Sequence, residues 1–235
     1  MTQMKKLSIV IPVYNEKDTV LTLLDWVKKA QIKNVEKEII IVDDLSTDGT
    51  REILRNLNDK TVKIVLSNKN EGKGGAIKQG LKYCTGDYII FQDADLEYDP
   101  KEYQTLVHTL IEKNVDFVLG QRVLPKFFST EKQIRSHTVG NRMIAMFGNL
   151  LYGTKLTDYE PCYKLFRAEI LRSIDVKSNG FEYDIELMGK LFKHKRSFAT
   201  TPITYKPRSF EEGKKIKWRD GVIALWTLLR IRCSK

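Results

Sequence analysis

Short apolar runs alternate with amphipathic stretches over the first hundred residues of the chain. Four runs rich in β-branched residues are typical of buried strands: Leu7–Val13, Glu38–Val42, Val62–Leu66 and Tyr88–Phe91. Helical patterns lie between and after them, over Thr19–Ala30, Gly49–Leu57 and Gly75–Cys84. Alternation of strand and helix favours a parallel sheet that is covered by helices. We therefore predict an α/β fold with a Rossmann-like, mostly parallel sheet.

The pattern is less regular after Pro100. It predicts three further helices and two strands, with the helices at Tyr103–Lys113, Arg142–Leu151 and Asp184–Phe192, and the strands at Asp116–Leu119 and Pro202–Tyr205. Residues 125–137 mix proline, serine and charge, and we expect a loop there. A last amphipathic helix is predicted over Gly221–Arg232. We expect one domain in residues 1–217, followed by a C-terminal amphipathic helix in residues 218–235.

Each of the four N-terminal strands is followed by a polar or glycine-rich cluster. The clusters are Tyr14-Asn15-Glu16, Asp43-Asp44, Asn70 to Gly75, and Asp93 with Asp95. In an open α/β sheet, ligands bind outside the carboxyl ends of the strands. One such cluster would be an ordinary loop, but four at one edge predict a binding site.

The Asp93-Ala94-Asp95 motif is the strongest candidate for a metal site. Its two carboxylates, with Glu97 close behind, can converge on a hard divalent cation. Mg²⁺ and Mn²⁺ prefer oxygen ligands and share them with substrate phosphates. A lone motif of this kind is usually a solvated acidic turn. Here the apolar strand before it and the companion clusters favour the metal.

Two other clusters fit a nucleotide. The Asp43-Asp44 pair suits hydrogen bonds from a base or ribose, although a capping turn is the ordinary alternative. The Asn70 to Gly75 segment lacks the spacing of a P-loop and has no Ser or Thr after Lys73, which excludes that motif. We expect its glycines to allow a close approach to the base, with Lys73 near the ligand.

The chain contains more basic than acidic residues. The 235 residues are 42% hydrophobic and 30% charged, with a formal charge of +10, and much of the excess lies in the last sixty. This charge indicates a polyanionic partner. Charge alone does not distinguish among nucleic acid, an anionic membrane and a pyrophosphate. Three cysteines without paired spacing suggest neither disulfides nor zinc, so we expect a cytoplasmic setting. No apolar run is long enough for a signal peptide or a membrane span.

Four motifs together resemble glycosyltransferase family 2. They are Ser8–Glu16 (SIVIPVYNE), Val42–Thr50 (VDDLSTDGT), Asn70–Ala76 (NEGKGGA) and Gln92–Leu96 (QDADL). Within the family the likeness is to the branch of dolichyl-phosphate mannose synthases and polyprenyl-phosphate glycosyltransferases. It continues through Gly120-Gln121-Arg122, Cys162–Arg167, Tyr205–Arg208 and Glu212–Lys215, and so covers nearly the whole chain. The resemblance implies a GT-A fold and an inverting, metal-dependent transfer of a hexose from a GDP- or UDP-linked donor to a polyprenyl or dolichyl phosphate.

The same resemblance implies roles for individual residues. The donor would be bound by Pro12, Tyr14, Glu16, Asp44, Lys73 and the Asp93-Ala94-Asp95 motif, and the ion, Mg²⁺ or Mn²⁺, by Asp93, Asp95 and Glu97. Arg122 would face the reacting phosphates, while Arg208 and Lys214 would close over the donor. Arg135 and His137 stand where the branch places Arg and Ser for the acceptor phosphate. The histidine departs from that pattern and leaves the acceptor contacts open.

Asp184 completes the catalytic set of Asp95, Arg122, Arg208 and Lys214. It stands at the helix start where inverting relatives carry a carboxylate near the sugar. An alcohol acceptor needs a base to take its proton, whereas a phosphate acceptor is already an anionic nucleophile. Asp184 therefore either takes a proton, positions sugar hydroxyls, or is an ordinary acid favoured at a helix N-terminus.

Three alternatives to lipid-phosphate transfer stay open on the sequence. A family 2 enzyme with a saccharide acceptor would share the same donor half. A nucleotidyltransferase would release pyrophosphate instead of a nucleoside diphosphate. A nucleic-acid-binding protein would explain the basic C-terminus, but the acidic strand ends would repel phosphate, so we expect no nucleic acid as partner.

The C-terminal helix predicts contact with a membrane surface. Apolar residues lie largely on one side of it, at Val222, Ile223, Leu225, Trp226, Leu228 and Leu229, and Trp218, Arg219, Arg230 and Arg232 flank them. Tryptophan and arginine beside an apolar face are typical of an interfacial helix. We expect peripheral binding at the cytoplasmic membrane face, with docking of the helix on its own domain as the alternative.

Overall fold

The computed structural model of the chain describes residues 4–123, 132–206 and 218–234. Within them, seven strands are present: β1 (Lys5–Val13), β2 (Val35–Asp43), β3 (Val62–Leu66), β4 (Tyr88–Phe91), β5 (Phe117–Val123), β6 (Lys164–Arg167) and β7 (Phe198–Thr204). The helices are α1 (Val20–Lys29), α2 (Thr50–Arg55), α3 (Gly72–Leu81), α4 (Tyr103–Glu112), α5 (Lys132–Tyr152), α6 (Ala168–Arg172), α7 (Glu182–Lys193) and α8 (Trp218–Cys233). A 3₁₀ turn, Pro100–Glu102, leads into α4.

All seven strands belong to one sheet in the order β3-β2-β1-β4-β6-β5-β7. Strands β1 to β4 run parallel to one another, and β7 runs parallel to β5 at the far edge. Strand β6 lies between β4 and β5 and is antiparallel to both. The sheet is therefore mixed but mostly parallel, and the predicted fold class is confirmed. Neither β6 nor α6 was predicted from the sequence.

The core consists of two apolar layers, one on each face of the sheet. Alternate residues of β1 supply both: Ile9 faces the layer that holds Leu23 of α1 and Leu106 of α4. Its neighbour Val10 faces the layer that holds Ile77 of α3. Burial on both faces explains why the strands appear in the sequence as continuous apolar runs.

Several predicted element boundaries were wrong: β5 extends to Val123, β7 begins at Phe198, and the starts of two helices differ the most in their consequences. Helix α3 begins at Gly72, so the stretch expected to be a glycine loop forms its first turn. The reason is Asp44, whose carboxylate accepts hydrogen bonds from the backbone N–H groups of Glu71 (2.9 Å) and Gly72 (2.7 Å) and so caps the helix. Helix α5 begins at Lys132, inside the stretch that was expected to be a loop. Its polar and charged first turns hid the helical pattern.

Close helix packing is one reason for the glycines of α3. A Cβ at Gly74 would lie 2.5 Å from the Cβ of Tyr183 on α7, so α7 can approach only a glycine at this position. The Gly75 N–H donates a hydrogen bond to the Asn179 carbonyl just before α7 (2.9 Å). Gly74 therefore serves the contact between α3 and α7, and the predicted approach of these glycines to the base stays a prediction.

Helix α8 is docked on the rest of the fold by one face. Ala224, Leu228 and Ile231 are buried against neighbouring helices. The Tyr152 hydroxyl of α5 donates a hydrogen bond to the Leu228 carbonyl (2.8 Å). Val222 and Trp226, on the opposite face, are exposed. Leu228, which was assigned to the membrane-facing side, belongs instead to the docked side. Among the described residues, no helix combines the length and apolar character needed to cross a bilayer.

Glu186 of α7 fixes the loop before that helix. Its buried carboxylate accepts hydrogen bonds from the backbone N–H groups of Lys177 and Ser178 (both 3.0 Å) and pairs with Lys190 (2.6 Å). Burial alone would raise the pKa of Glu186, but the bonds from Lys190, Ser178 and the Lys177 backbone lower it to about 2. The ionised form is therefore strongly favoured in the folded state.

We expect Glu186→Gln to lower the free energy of unfolding by about 3 kcal/mol at pH 7, from the two-unit difference between folded and unfolded pKa. Because the folded pKa is depressed, this stabilisation is present above the unfolded value near ~4.3 and is lost as the pH falls towards 2. Urea unfolding of both proteins at pH 7, 4 and 2.5 measures it. Glu36→Gln, at an exposed position on β2, is the control. A difference that is constant with pH would contradict the assignment.

Candidate functional site

The loops after β1 and β2 are tied together at the carboxyl edge of the sheet. The Asn15 side-chain carbonyl accepts a hydrogen bond from the Thr47 N–H (2.8 Å), and the Asn15 N–H donates to the Ser46 hydroxyl (2.9 Å). Asn15 adopts a left-handed backbone conformation with φ 53°. Tyr14 is exposed at this edge, whereas Glu16 is buried. The structure therefore brings the first two predicted clusters together.

Both carboxylates of the Asp43-Asp44 pair are buried and have structural partners. Asp43 accepts a hydrogen bond from Arg51 (2.7 Å). Asp44 caps α3, and burial raises its pKa more strongly than the two backbone N–H donors lower it. Pro12, opposite Val42 in the register, places β1 next to this pair. The nucleoside contacts assigned to Pro12, Tyr14, Glu16 and Asp44 stay predictions.

Lys73 joins three elements of the site. Its ammonium group lies 2.8 Å from a carboxylate oxygen of Asp93, at the end of β4, and 3.4 Å from one of Asp184, on α7. Burial alone would lower the pKa of Lys73, but the two carboxylates raise it well above its usual value. The lysine that the sequence placed near the ligand is thus held, fully charged, between two of the predicted site acids.

A second, fully buried lysine supports Asp184 from the other side. The Lys164 ammonium group of β6 lies 3.0 Å from Oδ1 of Asp184 and also bonds to the Pro161 carbonyl. Burial alone would raise the pKa of Asp184, but Lys164 and Lys73 lower it. Sequence analysis missed Lys164 as a site residue. The signal was a lysine within the apolar run Tyr163–Phe166, which only a buried partner could make tolerable.

Arg122 is locked in place by Asp158, another residue that the sequence analysis missed. Its guanidinium group binds the Asp158 carboxylate in a bidentate manner, with Nη2 at 2.8 Å from Oδ1 and Nε bonded to Oδ2. The ring of Tyr205 lies beneath it, 5.1 Å from the guanidinium carbon. Burial would lower the pKa of Arg122, but Asp158 holds it well above its usual value. A rigid, charged guanidinium group at this place suits phosphate recognition.

Glu160, next to the Arg122–Asp158 pair, is a further acid that the sequence analysis missed. It is only partly exposed, and its backbone N–H donates to the Asp158 carboxylate (3.0 Å). Burial, and then the negative charge of Asp158, raise the pKa of Glu160 to about 7. Within the described part of the chain, its carboxyl group makes no hydrogen bond or ion pair.

The predicted metal ligands end β4 at the same edge. Oδ1 of Asp95 accepts a hydrogen bond from the Glu97 N–H (3.1 Å). The Glu97 carboxyl lies by the Tyr205 hydroxyl, whose pKa is raised by burial and then by Glu97. In residues 4–123, 132–206 and 218–234, no three His, Cys, Asp or Glu side chains converge as a complete metal site. Asp93 and Asp95 nevertheless fit Mg²⁺ or Mn²⁺, since these ions take oxygen ligands and complete their shell with substrate phosphates.

Four predicted site residues lie outside the description. Arg208 and Lys214 fall in residues 207–217. Arg135 and His137 belong to the backbone of α5, but their side chains are not among those described. Their roles at the donor and at the acceptor phosphate stay predictions.

The sequence model of "Glycosyl transferase family 2" matches residues 8–175, from β1 to just beyond α6. The chain belongs to glycosyl transferase family 2. The match contains the end of β4, Arg122, Asp158 and Lys164, and so most of the cluster described above. The family resemblance drawn from the four N-terminal motifs is confirmed.

Curated relatives of this family 2 chain are sugar transferases by name. The chain is 28% identical over 206 residues to the low-salt glycan biosynthesis hexosyltransferase Agl6 of Haloferax volcanii, covering 87% of this chain and 49% of that protein. It is 33% identical over 174 residues to the undecaprenyl-phosphate 4-deoxy-4-formamido-L-arabinose transferase of Yersinia pestis, covering 72% and 51%. The chain spans about half the length of these relatives.

Solved structures with the same fold include two sugar-transferring synthases. Glucosyl-3-phosphoglycerate synthase of Mycobacterium tuberculosis, in complex with UDP, superposes with a TM-score of 0.72 at 18% identity, over 97% of this chain and 80% of that one. Mannosyl-3-phosphoglycerate synthase of Rubrobacter xylanophilus gives 0.73 at 20% identity, over 97% and 72%. At these identities the likeness establishes the fold alone, and it agrees with the GT-A type expected of the family 2 chain.

Proposed function

We propose that the chain is a metal-dependent, inverting glycosyltransferase that moves a hexose from a nucleotide sugar to a polyprenyl phosphate. One observation carries the proposal: Lys73 joins Asp93, at the end of β4, to Asp184 on α7 at the carboxyl edge of the sheet. It supports the proposal because the residue predicted to act at the donor diphosphate and the residue predicted to act at the sugar both contact one side chain. Family membership and the names of the curated relatives support the same chemistry.

A nucleotide-sugar donor with a divalent ion fits this edge. The Mycobacterium tuberculosis synthase has been solved with Mn²⁺ and UDP-glucose together. In the present chain Asp93 and Asp95 would hold Mg²⁺ or Mn²⁺ against the donor diphosphate. The bound ion would supply Lewis-acid stabilisation of the departing nucleoside diphosphate. The base of the donor, uracil or guanine, is left open.

Arg122 is well placed to act on the phosphates. Because Asp158 and Tyr205 fix its guanidinium group in advance, the group needs no reorganisation when negative charge develops on the leaving diphosphate. In the transfer, the bond from the anomeric carbon to the diphosphate oxygen breaks, and its electron pair leaves with the nucleoside diphosphate. A bond to an acceptor phosphate oxygen forms on the opposite face. No proton has to be removed from such an acceptor.

The acceptor class is supported by the Yersinia pestis relative, whose name includes undecaprenyl phosphate. A lipid phosphate must reach the site from a membrane, and two packed helices offer a surface for that approach. Exposed apolar side chains lie at Met143, Met146 and Leu150 of α5 and at Val222, Ile223, Trp226 and Leu229 of α8. Exposed arginines on the same helices are Arg142, Arg230 and Arg232. Apolar residues with cations beside them suit an anionic bilayer surface.

We expect the protein to pellet with anionic liposomes at low salt and to be released at high salt. The variant Met146→Gln/Trp226→Gln should bind them at least about tenfold more weakly, because it removes two of the most exposed apolar side chains of α5 and α8. Trp26→Gln is the matched control, since Trp26 is an exposed tryptophan on α1, away from both helices. Equal binding by all three proteins would exclude this surface as the membrane contact.

A panel of UDP- and GDP-sugars with Mn²⁺ tests the reaction. Ligand-induced thermal shift identifies the donor, and transfer is then measured to a polyprenyl phosphate and, in parallel, to free saccharides. Release of a nucleoside diphosphate with a β-linked lipid product is the expected result. Transfer to saccharides alone would change the acceptor class, and pyrophosphate release would indicate a nucleotidyltransferase.

A further inference from the structure

Among the described residues, three cations around Asp184 and Asp158 are paired with carboxylates. Lys73 forms ion pairs with Asp93 and Asp184, Lys164 pairs with the other oxygen of Asp184, and Arg122 pairs with Asp158. These three cations offset the three carboxylates that they contact. Glu160 is a further carboxyl group near these pairs. In the described residues, no cation forms an ion pair with it and no donor forms a hydrogen bond to it. A partly exposed carboxyl group without a protein partner is available to bond to a ligand.

The position of Glu160 is fixed by its neighbours along the chain. Its N–H is bonded to the carboxylate of Asp158. Two residues further on, the Cys162 sulfur accepts a hydrogen bond from the Asp93 N–H (3.1 Å). Glu160 therefore lies on the short segment that joins the Arg122–Asp158 pair to the end of β4.

Charged groups from each neighbouring element act on this carboxyl. They are Asp158 on its own segment, Arg122 of β5, Lys164 of β6 and Asp184 of α7. Glu160 is thus close enough to the guanidinium group assigned to the phosphates and to the carboxylate assigned to the sugar for both charges to act on it. We expect the sugar of a bound donor to lie near these groups.

Asp184 is less free than Glu160 to contact a sugar. Lys164 lies at one of its oxygens and Lys73 at the other, and the side chain is buried. Glu160 is partly exposed, and among the described residues its carboxyl group has no hydrogen-bond partner. A carboxyl group can bond to sugar hydroxyls in either protonation state, because the ionised form accepts and the neutral form both donates and accepts.

We propose that Glu160 is a specificity residue that hydrogen-bonds to hydroxyl groups of the transferred sugar, while Asp184 positions the two lysines. The inference rests on the proposed function. It predicts that the affinity for the sugar part of the donor, and not for its nucleoside diphosphate, depends on Glu160.

Calorimetric titration with Mn²⁺ present tests this directly, using UDP, GDP and the UDP- or GDP-hexose that the wild-type protein binds. Glu160→Ala should bind the nucleotide hexose at least about tenfold more weakly, as expected for the loss of a hydrogen bond to a charged group. Its affinity for the nucleoside diphosphate should be unchanged. Glu160→Gln should lie between the two, since an amide retains one acceptor and one donor function.

Melting temperature separates this role from a structural one. Because the Glu160 carboxyl has no partner to lose and lies by Asp158, Glu160→Ala and Glu160→Gln should melt at the wild-type temperature or above it. Lower melting temperatures with equal losses for nucleotide hexose and nucleoside diphosphate would overturn the inference. So would unchanged affinity for the nucleotide hexose.

The proposed function fails separately, and in a different way. If the wild-type protein binds neither nucleotides nor nucleotide sugars, the glycosyltransferase proposal is wrong and the inference falls with it. If the wild-type protein binds the nucleotide hexose and Glu160→Ala binds it equally tightly, the inference alone is wrong.

If Glu160→Ala does lose affinity, deoxy analogues of the hexose identify the hydroxyl group that Glu160 contacts. The analogue that lacks this hydroxyl should bind to the wild-type protein and to Glu160→Ala with equal affinity.

Discussion

Replacing Asp95 with alanine is expected to lower turnover by at least about a hundredfold while leaving the fold intact. The variant removes one of two carboxylates that would hold the divalent ion against the diphosphate, and charge stabilisation of this kind is commonly worth that factor or more. The hydrogen bond from the Glu97 N–H to the Asp95 carboxylate, which the variant loses, is local to the turn after β4. Turnover with the identified donor, Mn²⁺ titration in the presence of nucleoside diphosphate, and the melting temperature are the measurements.

Asp99→Ala is the matched control for Asp95→Ala. Asp99 also accepts a hydrogen bond from the backbone N–H two residues on, at Lys101 (3.0 Å), but it caps the 3₁₀ turn instead of ending the strand. Both variants lose the same kind of turn, so any difference between them reports on the site. Full turnover by Asp95→Ala, or full turnover in EDTA, would exclude metal dependence.

Replacing Lys164 with methionine should lower the free energy of unfolding by about 3 kcal/mol, which is the scale for breaking a buried ion pair on one side. The fully buried ammonium group lies 3.0 Å from Asp184, and its loss leaves that carboxylate with Lys73 alone. The double variant Lys164→Met/Asp184→Asn should recover part of the loss, because the uncompensated charge is then gone. Urea unfolding of the single and double variants measures both effects.

Lys29→Met is the control for a pair in solvent. Lys29 is as close to Asp25 (2.7 Å), but both side chains are largely exposed, and such pairs are worth about 0.5 kcal/mol or less. If Lys164→Met costs no more than Lys29→Met, the buried pair does not stabilise the fold. The role assigned to Lys164 in supporting Asp184 would then have to be abandoned.

The N-terminal half of the fold could be predicted because its signals are local. Val62–Leu66 and Tyr88–Phe91 form strands with the predicted boundaries, and the polar clusters after the strands do lie at one edge. A β-branched run with a polar turn behind it contains most of the information that a buried parallel strand requires. Family 2 membership also followed from these motifs.

The parts that could not be predicted depend on partners far away in the chain. Strand β6 is only four residues long and contains Lys164, so its apolar pattern is broken. That lysine is acceptable inside the sheet because of Asp184, which belongs to a later helix. The sequence around Asp158 and Glu160 likewise does not indicate their roles. Asp158 acquires its role from Arg122, and Glu160 from the charged groups that surround it in the fold.

The late arrival of β6 also determines the order in which the sheet can be completed. Strands β1 to β4 can pair with one another once the chain has been made as far as Phe91, whereas β4 obtains its second partner only when Arg167 has been made. Until then an apolar edge at Tyr88–Phe91 is open, and pairings of such long range are slow to form. During synthesis, this edge is therefore exposed to pairing with other chains, because open strand edges aggregate.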